Sequence, residues 1–402
     1  MRSGIFIKQA GGYQAFVPKP LPPDPPIQVD SEMVQLLSEA DLTMGRLDGI
    51  TSTLPNPDLF VGMYVRQEAV LSSQIEGTQS TLEDVLQFEI NASGEAVPKD
   101  VSEVVNYVRA MNHGLGRLDK LPLSLRLIRE IHAELLRGAR GSTRQPGEFR
   151  KTQNWIGPAG CTLMTAAFVP PPVPEMLEAL GDLERFLYLE GTMPALIHCG
   201  LAHAQFETIH PFLDGNGRVG RLLITFLLCQ RQILSRPLLY LSLYLKRHRA
   251  QYYDRLMAVR TDGDWEGWLK FFLRGVAEVS ASAAATAHKI LKLREDGRKI
   301  FQERFRNSTL AQRFFDFLFE QPMFNVRMVE RHLDCSFAKA NQLVVQVEAR
   351  GLIRETTGWQ RNRRYKFAPY LALFEETSAV PDRPAPTCKN PDRRERPRTS
   401  KR

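Results

Sequence analysis

The sequence predicts a mainly α-helical protein, in which a helical core carries one small β-hairpin flap. A helical N-terminal region precedes that core and a winged helix-turn-helix follows it. Three observations carry the prediction. From Ser31 onward, segment after segment places apolar residues at helical spacing between capping and stopping residues. No proline falls between Pro237 and Pro322, which leaves room for long helices through Leu269 and Ile290. Turn residues combine with β-favouring pieces in only two stretches, near 147–174 and 354–367.

Taken in order, the chain opens with "PKPLPPDPPIQ", an extended surface segment too proline-rich to build a core. "SEMVQLLSEADLTMGRLDG" spaces Met33, Leu36, Leu37 and Ala40 as a helix with a glycine stop. "DLFVGMYVRQEAVLSSQIEG" reads as a second helix, capped by Asp58 and ending at Gly77. Ser80 with Glu83, and Asp100 with Glu103, read as capping boxes for two more. A further helix starts at Ser124 and stops at Gly138. Short strand pieces at 154–156 and 167–169 form the flap, and helices resume at Pro174 and Pro194 as first-turn prolines. "RLLITFLLCQRQIL", apolar on nearly every side, predicts a central buried helix. From Ser308, three capped helices and the two strands of "RETTGWQRNRRYKF" complete the winged helix-turn-helix pattern. The expected division is 1–118, 119–275, a connecting helix 276–307, 308–372, and a basic disordered tail 373–402.

Composition limits the function classes. The 402 residues suffice for two or three domains, and 43% hydrophobic with 24% charged residues is ordinary for a globular protein. No apolar run approaches the length of a membrane span, and the N-terminus lacks a signal-peptide apolar region. Five scattered cysteines without a C-x-x-C pair point to free thiols in a reducing cytoplasm, not to disulfides or zinc. The formal charge of +8 permits an anionic partner without requiring one.

One short stretch concentrates chemistry: "HPFLDGNGRVGR", residues 210–221. Gly215, Gly217 and Gly220 have dinucleotide-fingerprint spacing, but a helical segment precedes them where that fingerprint needs a strand. The loop leads into a helix, so backbone N–H groups at 215–217 and the helix dipole form an anion site. Arg218 and Arg221, one turn apart, can lean toward the same polyphosphate. Asp214 is a hard ligand suited to Mg²⁺ against two phosphate oxygens, and His210 can serve as general base for an incoming hydroxyl. That set fits nucleotidyl transfer. His198 and His203 match no zinc spacing and read as structural.

The same stretch resembles the Fic motif, H-x-F-x-[DE]-G-N-G-R-x-x-R, at every specified position. "KPLPP", "YVRQEAVLSSQIEGTQSTLEDV", "QNWIG", "FVPPP" and "AHAQFETIHPF" are similar to other parts of long bacterial Fic proteins, so the resemblance runs from about residue 10 to about 370. It implies a Fic-fold core and a protein adenylyltransferase that moves AMP from ATP onto a Ser, Thr or Tyr hydroxyl of a protein, itself included. On this resemblance His210 is the catalytic base and Asp214 holds Mg²⁺. Gly215, Asn216 and Gly217 form the anion hole, Val219 and Gly220 continue the ATP-binding loop, and Arg218 and Arg221 take the outer phosphates. Phe212 anchors the loop in the core. Thr152, Gln153, Asn154 and Ile156 form the flap edge that holds the target by strand addition. Ser72, Glu76 and Gly77 of "SSQIEG" match the [ST]-x-x-x-E-[GN] inhibitory motif, which brings Glu76 beside Arg221. One departure stands out: where relatives carry Asn in N-R-x-x-Y-Y, "HRAQYY" places His248 near the nucleotide.

Two other readings stay open. One makes the chain a DNA-binding regulator with the Fic region as nucleotide sensor, because Arg354, Arg361, Arg363, Arg364 and Lys366 line the wing. Winged helices also act as protein docking or homodimer modules. The other keeps the enzyme but has it remove AMP or transfer another phosphate-containing group.

Overall fold

The computed structural model describes residues 1–53, 57–90, 98–138, 143–158, 160–305 and 308–378, without the side chains of 51–53, 58–59 and 376–378. Among these residues the chain is mainly helical, with fifteen helices and five short strands. It opens on a hairpin absent from the sequence expectation, β1 (Gly4–Lys8) and β2 (Gln14–Pro18), paired antiparallel with Phe6 opposite Phe16. The proline-rich segment that follows lacks regular structure, and Glu266 receives both Arg2 (2.9 Å) and the backbone N–H of Gln28 (2.8 Å).

Helix α1 (Ser31–Thr53) starts where Asp30 accepts from the Met33 N–H, and it runs on through Gly49. Gly49 does not stop it, because the buried face of Met33, Ala40, Met44 and Leu47 outweighs a glycine cost of about 1 kcal/mol. Helix α2 (Asp58–Ile75) has Pro57 at its N-cap, and Gly77 takes a φ of 100° beyond its end. Helix α3 (Leu82–Ile90) has a capping box one residue later than expected: Asp84 accepts from the Thr81 N–H (2.8 Å) while Thr81 accepts from the Asp84 N–H (3.2 Å). Helix α4 (Lys99–Leu118) has no box. Asp100 instead accepts from the Gln79 N–H, and Glu103 turns into the interior.

Ser124 caps α5 (Leu125–Leu135), as predicted. The flap forms where expected, with Ile156 and Phe168 exchanging both backbone hydrogen bonds at 2.8 and 3.0 Å. Helix α6 (Val173–Leu187) has proline in its first turn, whereas Pro194 is the N-cap of α7 (Ala195–Ile209). Helix α8 (Asn216–Gln230) is buried almost all round, like α7 before it, and these two form the centre of the core. Around them lie α9 (Ser242–Arg247), α10 (Arg249–Asp262) and the 40-residue α11 (Trp265–Arg304), which carries unbroken across 275/276.

The C-terminal unit contains α12 (Thr309–Glu320), β3 (Met323–Asn325), α13 (Val326–Leu333), α14 (Phe337–Glu348), β4 (Arg354–Glu355), β5 (Arg364–Lys366) and α15 (Ala368–Ser378). Ser308, Asn325 and Ser336 cap its three predicted helices. Strand β3, which the sequence did not announce, joins the hairpin in an antiparallel sheet of order β3-β5-β4. Helix α15 extends past residue 372, and the basic stretch beyond 378 lies outside the described residues. The unit packs on the N-terminal region through Phe60–Phe319 and Tyr64–Phe374 ring contacts and a Lys366–Glu83 ion pair at 3.3 Å.

Candidate active site

His210 ends α7 in the left-handed region (φ 50°, ψ 60°), and Gly215 at φ 78° starts α8. A six-residue turn, 210–215, therefore links two buried helices, and its shape is imposed from several sides. The Asn216 side chain closes it, accepting from the Phe212 N–H and donating to the Phe212 carbonyl, both at 2.8 Å. Phe212 is fully buried and stacks 3.7 Å from the His132 ring. The Gly147 N–H donates to His132 Nδ1, so Nε2 carries the proton and donates to the Asp214 carbonyl at 3.0 Å. Burial lowers the His132 pKa to about 4, which keeps this ring neutral.

Arg150, 1% exposed, joins flap to turn: Nε donates to the His210 carbonyl at 3.1 Å and Nη1 to the Thr152 carbonyl at 3.3 Å. Asn154 donates to the carbonyls of His210 (3.2 Å) and Phe212 (2.9 Å). Together they hold a backbone conformation that L-residues otherwise avoid. Gln153 is bound to Pro170, Ile156 to Phe168, and Thr152 is exposed. The Phe16 N–H donates to the Val169 carbonyl, so β2 covers the far side of the flap.

The imidazole of His210 has a buried Nδ1 without a hydrogen-bond partner among the described residues. Burial, then the cations Arg260 and Arg150, lower its pKa to about 3. The ring is neutral and a lone pair is available at physiological pH. Asp214, one-third exposed, accepts from the Gly215 N–H at 2.6 Å through Oδ1. A single hard carboxylate beside open helix-end donors fits Mg²⁺ shared with phosphate oxygens and water. No side chain caps the first turn of α8. Its N–H groups at 216–218 are the unpaired donors of a helix start, and they suit an anion.

The two arginines are held differently. Arg218 forms a buried pair with Glu103 at 3.1 Å, and its other nitrogen lies 3.6 Å from Asp214. Arg221, 2% exposed, donates to the Ser72 hydroxyl (2.7 Å), the Ser72 carbonyl (3.0 Å) and Glu76 (2.7 Å). Burial would raise the Glu76 pKa, but the charge and hydrogen bond of Arg221, and then the charge of Arg218, hold it below the usual value. The Glu76 carboxylate also lies over Gly217, where any Cβ would collide with it. Glu207 occupies the same relation to Gly220.

His248 stands at the α9–α10 junction with its ring 4.4 Å from Tyr244, and no hydrogen bond joins it to the 210–221 turn among the described residues. Its neighbours Tyr252 and Tyr253 lie nearer, within the electrostatic reach of Arg221 and Glu76. His203 is structural, bridging the Gly220 carbonyl (2.8 Å) and the Tyr252 hydroxyl (2.9 Å), and His198 is bound to the Phe186 carbonyl. Sequence reasoning passed over His132, Arg150, Glu207 and Arg260, and it read Glu103 as part of a helix cap and not as a partner of Arg218. Each acts through a partner far along the chain, so no local pattern marks it. Among the described residues no cluster of three metal-type ligands occurs, and no helix is long and apolar enough to cross a membrane.

Known proteins resemble this chain in sequence and in fold. The Fic/DOC family N-terminal model matches residues 34–116 and the Fic/DOC family model residues 122–228. The protein adenylyltransferase Fic of Drosophila grimshawi is 28% identical over 203 residues, 49% of this chain and 38% of that protein. The same-named protein of Drosophila ananassae is 27% identical over 203 residues, with 37% of its length covered. The chain thus spans well under half the length of these curated relatives. A crystal structure of a Fic family protein from Desulfovibrio desulfuricans G20 superposes with a TM-score of 0.56 at 19% identity, covering 85% of this chain and 97% of that one. With both regions matched in order, and the motif turn lying between two buried helices, the chain carries a Fic/DOC family N-terminal region at 34–116 and a Fic/DOC family domain at 122–228.

Proposed function

We propose that the chain is a protein adenylyltransferase restrained by its own Glu76. One observation carries this reading: a neutral imidazole with an unpartnered nitrogen stands beside an uncapped helix N-terminus and a lone carboxylate. ATP lays its phosphates on the N–H groups of residues 216–218. Mg²⁺ on Asp214 supplies charge neutralisation at the α- and β-phosphates when bound. The target hydroxyl gives its proton to His210 and forms the new O–P bond at the α-phosphorus. The bond from that phosphorus to the bridging oxygen breaks, and pyrophosphate leaves. His210 is a weak base in the empty site. The incoming polyphosphate raises its proton affinity, so the base gains strength when a substrate needs it.

Arg221 would hold the outermost phosphate, and Glu76 now occupies that guanidinium and the space over Gly217. Arg218, engaged by Glu103, orients Asp214 until phosphate competes for it. The 152–156 side of the flap remains for a target strand, because β2 covers the other side. Residues 119–275 serve as catalytic core, 1–118 bear the brake, and 308–372 form a winged helix.

The test is incubation with α-labelled ATP and Mg²⁺, followed by mass spectrometry of the protein and of cell lysate. Charge-assisted pairs contribute about 1.5–3 kcal/mol, and partial solvent screening of Glu76 places the expected effect at the low end. Glu76→Gly should raise AMP transfer and self-labelling by about tenfold, and Glu76→Gly with His210→Asn should stay silent. A folded Glu76→Gly protein that transfers no AMP overturns the reading.

A further inference from the structure

The C-terminal unit holds a cleft of about 680 Å³ that the proposed chemistry does not use. It lies between the β4–β5 hairpin and the start of α14, and Ile90 of α3 walls one side. Among the described residues four arginines line it (327, 361, 363 and 364) and no carboxylate does. Arg361, Arg363 and Arg364 have no ion-pair partner within 4.0 Å among the described residues, although Glu355 of the same hairpin feels the charge of Arg363. An anion fits there.

Two large aromatics share the cleft, Trp359 at 51% exposure and Phe337 at 41%. Each already carries a guanidinium against one face, Arg364 at 5.2 Å from the indole and Arg327 at 4.5 Å from the phenyl ring. The exposed remainder of each ring is apolar surface left in water beside a positive groove. The presentation is fixed in advance. Glu355 accepts from the Thr357 and Gly358 N–H groups at 2.9 and 2.8 Å, which shapes the hairpin turn. Arg363 donates to Asn341 at 3.4 Å, which ties the hairpin to α14.

We infer that this cleft binds single-stranded nucleic acid. Arginines track the phosphates, and Trp359 and Phe337 stack unpaired bases. Asn341, Gln360 and Asn362 offer amide groups to base edges. A duplex is the poorer fit. The exposed face of α14, at Ala338, Lys339, Gln342, Val345 and Gln346, carries a single cation, and stacked pairs would leave both rings unused. An acidic peptide would satisfy the arginines and also leave the rings exposed.

The experiment uses the full chain, with fluorescence anisotropy of a labelled oligothymidylate of about twelve nucleotides. A duplex of equal length and a polyglutamate of equal charge serve as comparisons. The single strand should bind about tenfold more tightly than either. Trp359→Ala should weaken it by about tenfold, with an unchanged melting temperature because the side chain is exposed. Phe337→Ala should act in the same direction. Arg361→Gln with Arg363→Gln should flatten the log–log salt slope by about 1.4. No binding at low salt, equal affinity for duplex or polyglutamate, or indifference to both aromatic substitutions would overturn the inference.

Discussion

His210 combines its proposed role as base with an awkward backbone, and the two can be separated by the choice of substitution. Alanine at φ 50° carries a left-handed penalty of about 1–2 kcal/mol, whereas asparagine tolerates that region. His210→Asn should therefore lower transfer by about a hundredfold or more while nucleotide affinity and melting temperature hold. His210→Ala should match that kinetic loss and also melt earlier, which calorimetry would detect. Buried titratable groups give a second residue-scale expectation. Burial, with the causes given above, puts His132 and His203 near pKa 4 and His210 near 3, and it lifts Glu68 and Glu207 to about 7. Between about pH 6.5 and 4.5 the unfolded chain binds protons on three imidazoles that the fold keeps neutral. The fold binds protons on two carboxyls that the unfolded chain leaves ionised. Burial lowers the His198 pKa as well, so the unfolded state takes up more protons than the fold, and stability should fall on acidification by on the order of 1 kcal/mol per pH unit. Urea midpoints that rise between pH 6.5 and 5 would contradict this. At this scale the motif was legible because His, Asp, Gly, Asn and Arg coincide in twelve positions. Asn216 was legible as a member and not as a loop closure, since a side chain's partner is not written beside it.

Helix α2 is anchored along its length, which decides how its terminal glutamate can act. The Tyr64 hydroxyl donates to the Ala283 carbonyl at 3.0 Å, and Glu68 accepts from Tyr107 (3.1 Å) and the Ser242 N–H (3.1 Å). A helix so pinned does not swing away, so under the proposed restraint release would come from rotation of the Glu76 side chain at its edge. Helix α4 sets the opposite wall, with Glu103 on Arg218 and Gly114 directly beneath Phe226 of α8. Gly114→Ala should force the two helices apart at a cost of about 1–3 kcal/mol. In the Glu76→Gly background it should also lower transfer, because Arg218 and Asp214 lose their register. Thermal melts and initial rates check the two effects separately. Most helices could be read from caps and apolar spacing. The failures have one physical character. Ser80-Thr81 and Glu83-Asp84 offer two equivalent boxes, and the sequence does not say which the chain uses. Glu103 has the right spacing for a box, but its partner lies 115 residues away, and a buried charge pair outweighs a cap.

At the scale of the whole molecule, the C-terminal unit rests on α2, the helix that bears the proposed brake. Phe319 and Phe374 cover Phe60 and Tyr64 of α2, and Phe315 packs on Phe301 of α11. A chain ended after Phe305 would expose those rings. It should bind an apolar dye, melt earlier, and label itself faster than the full chain as α2 loosens. Equal rates from both proteins, with the truncated one still folded, would show that the unit is independent of the brake. The 40 residues of α11 span about 60 Å, and its first half is buried by Trp265, Trp268, Phe271, Phe272 and Val276 while its second half is largely exposed. One continuous helix thus has two different lifetimes for its amide protons. Deuterium should enter the stretch after Leu291 through local fraying, within minutes. The amides around Trp268 should exchange only when the entire core opens, which makes them a clock for global unfolding against which every variant above can be timed.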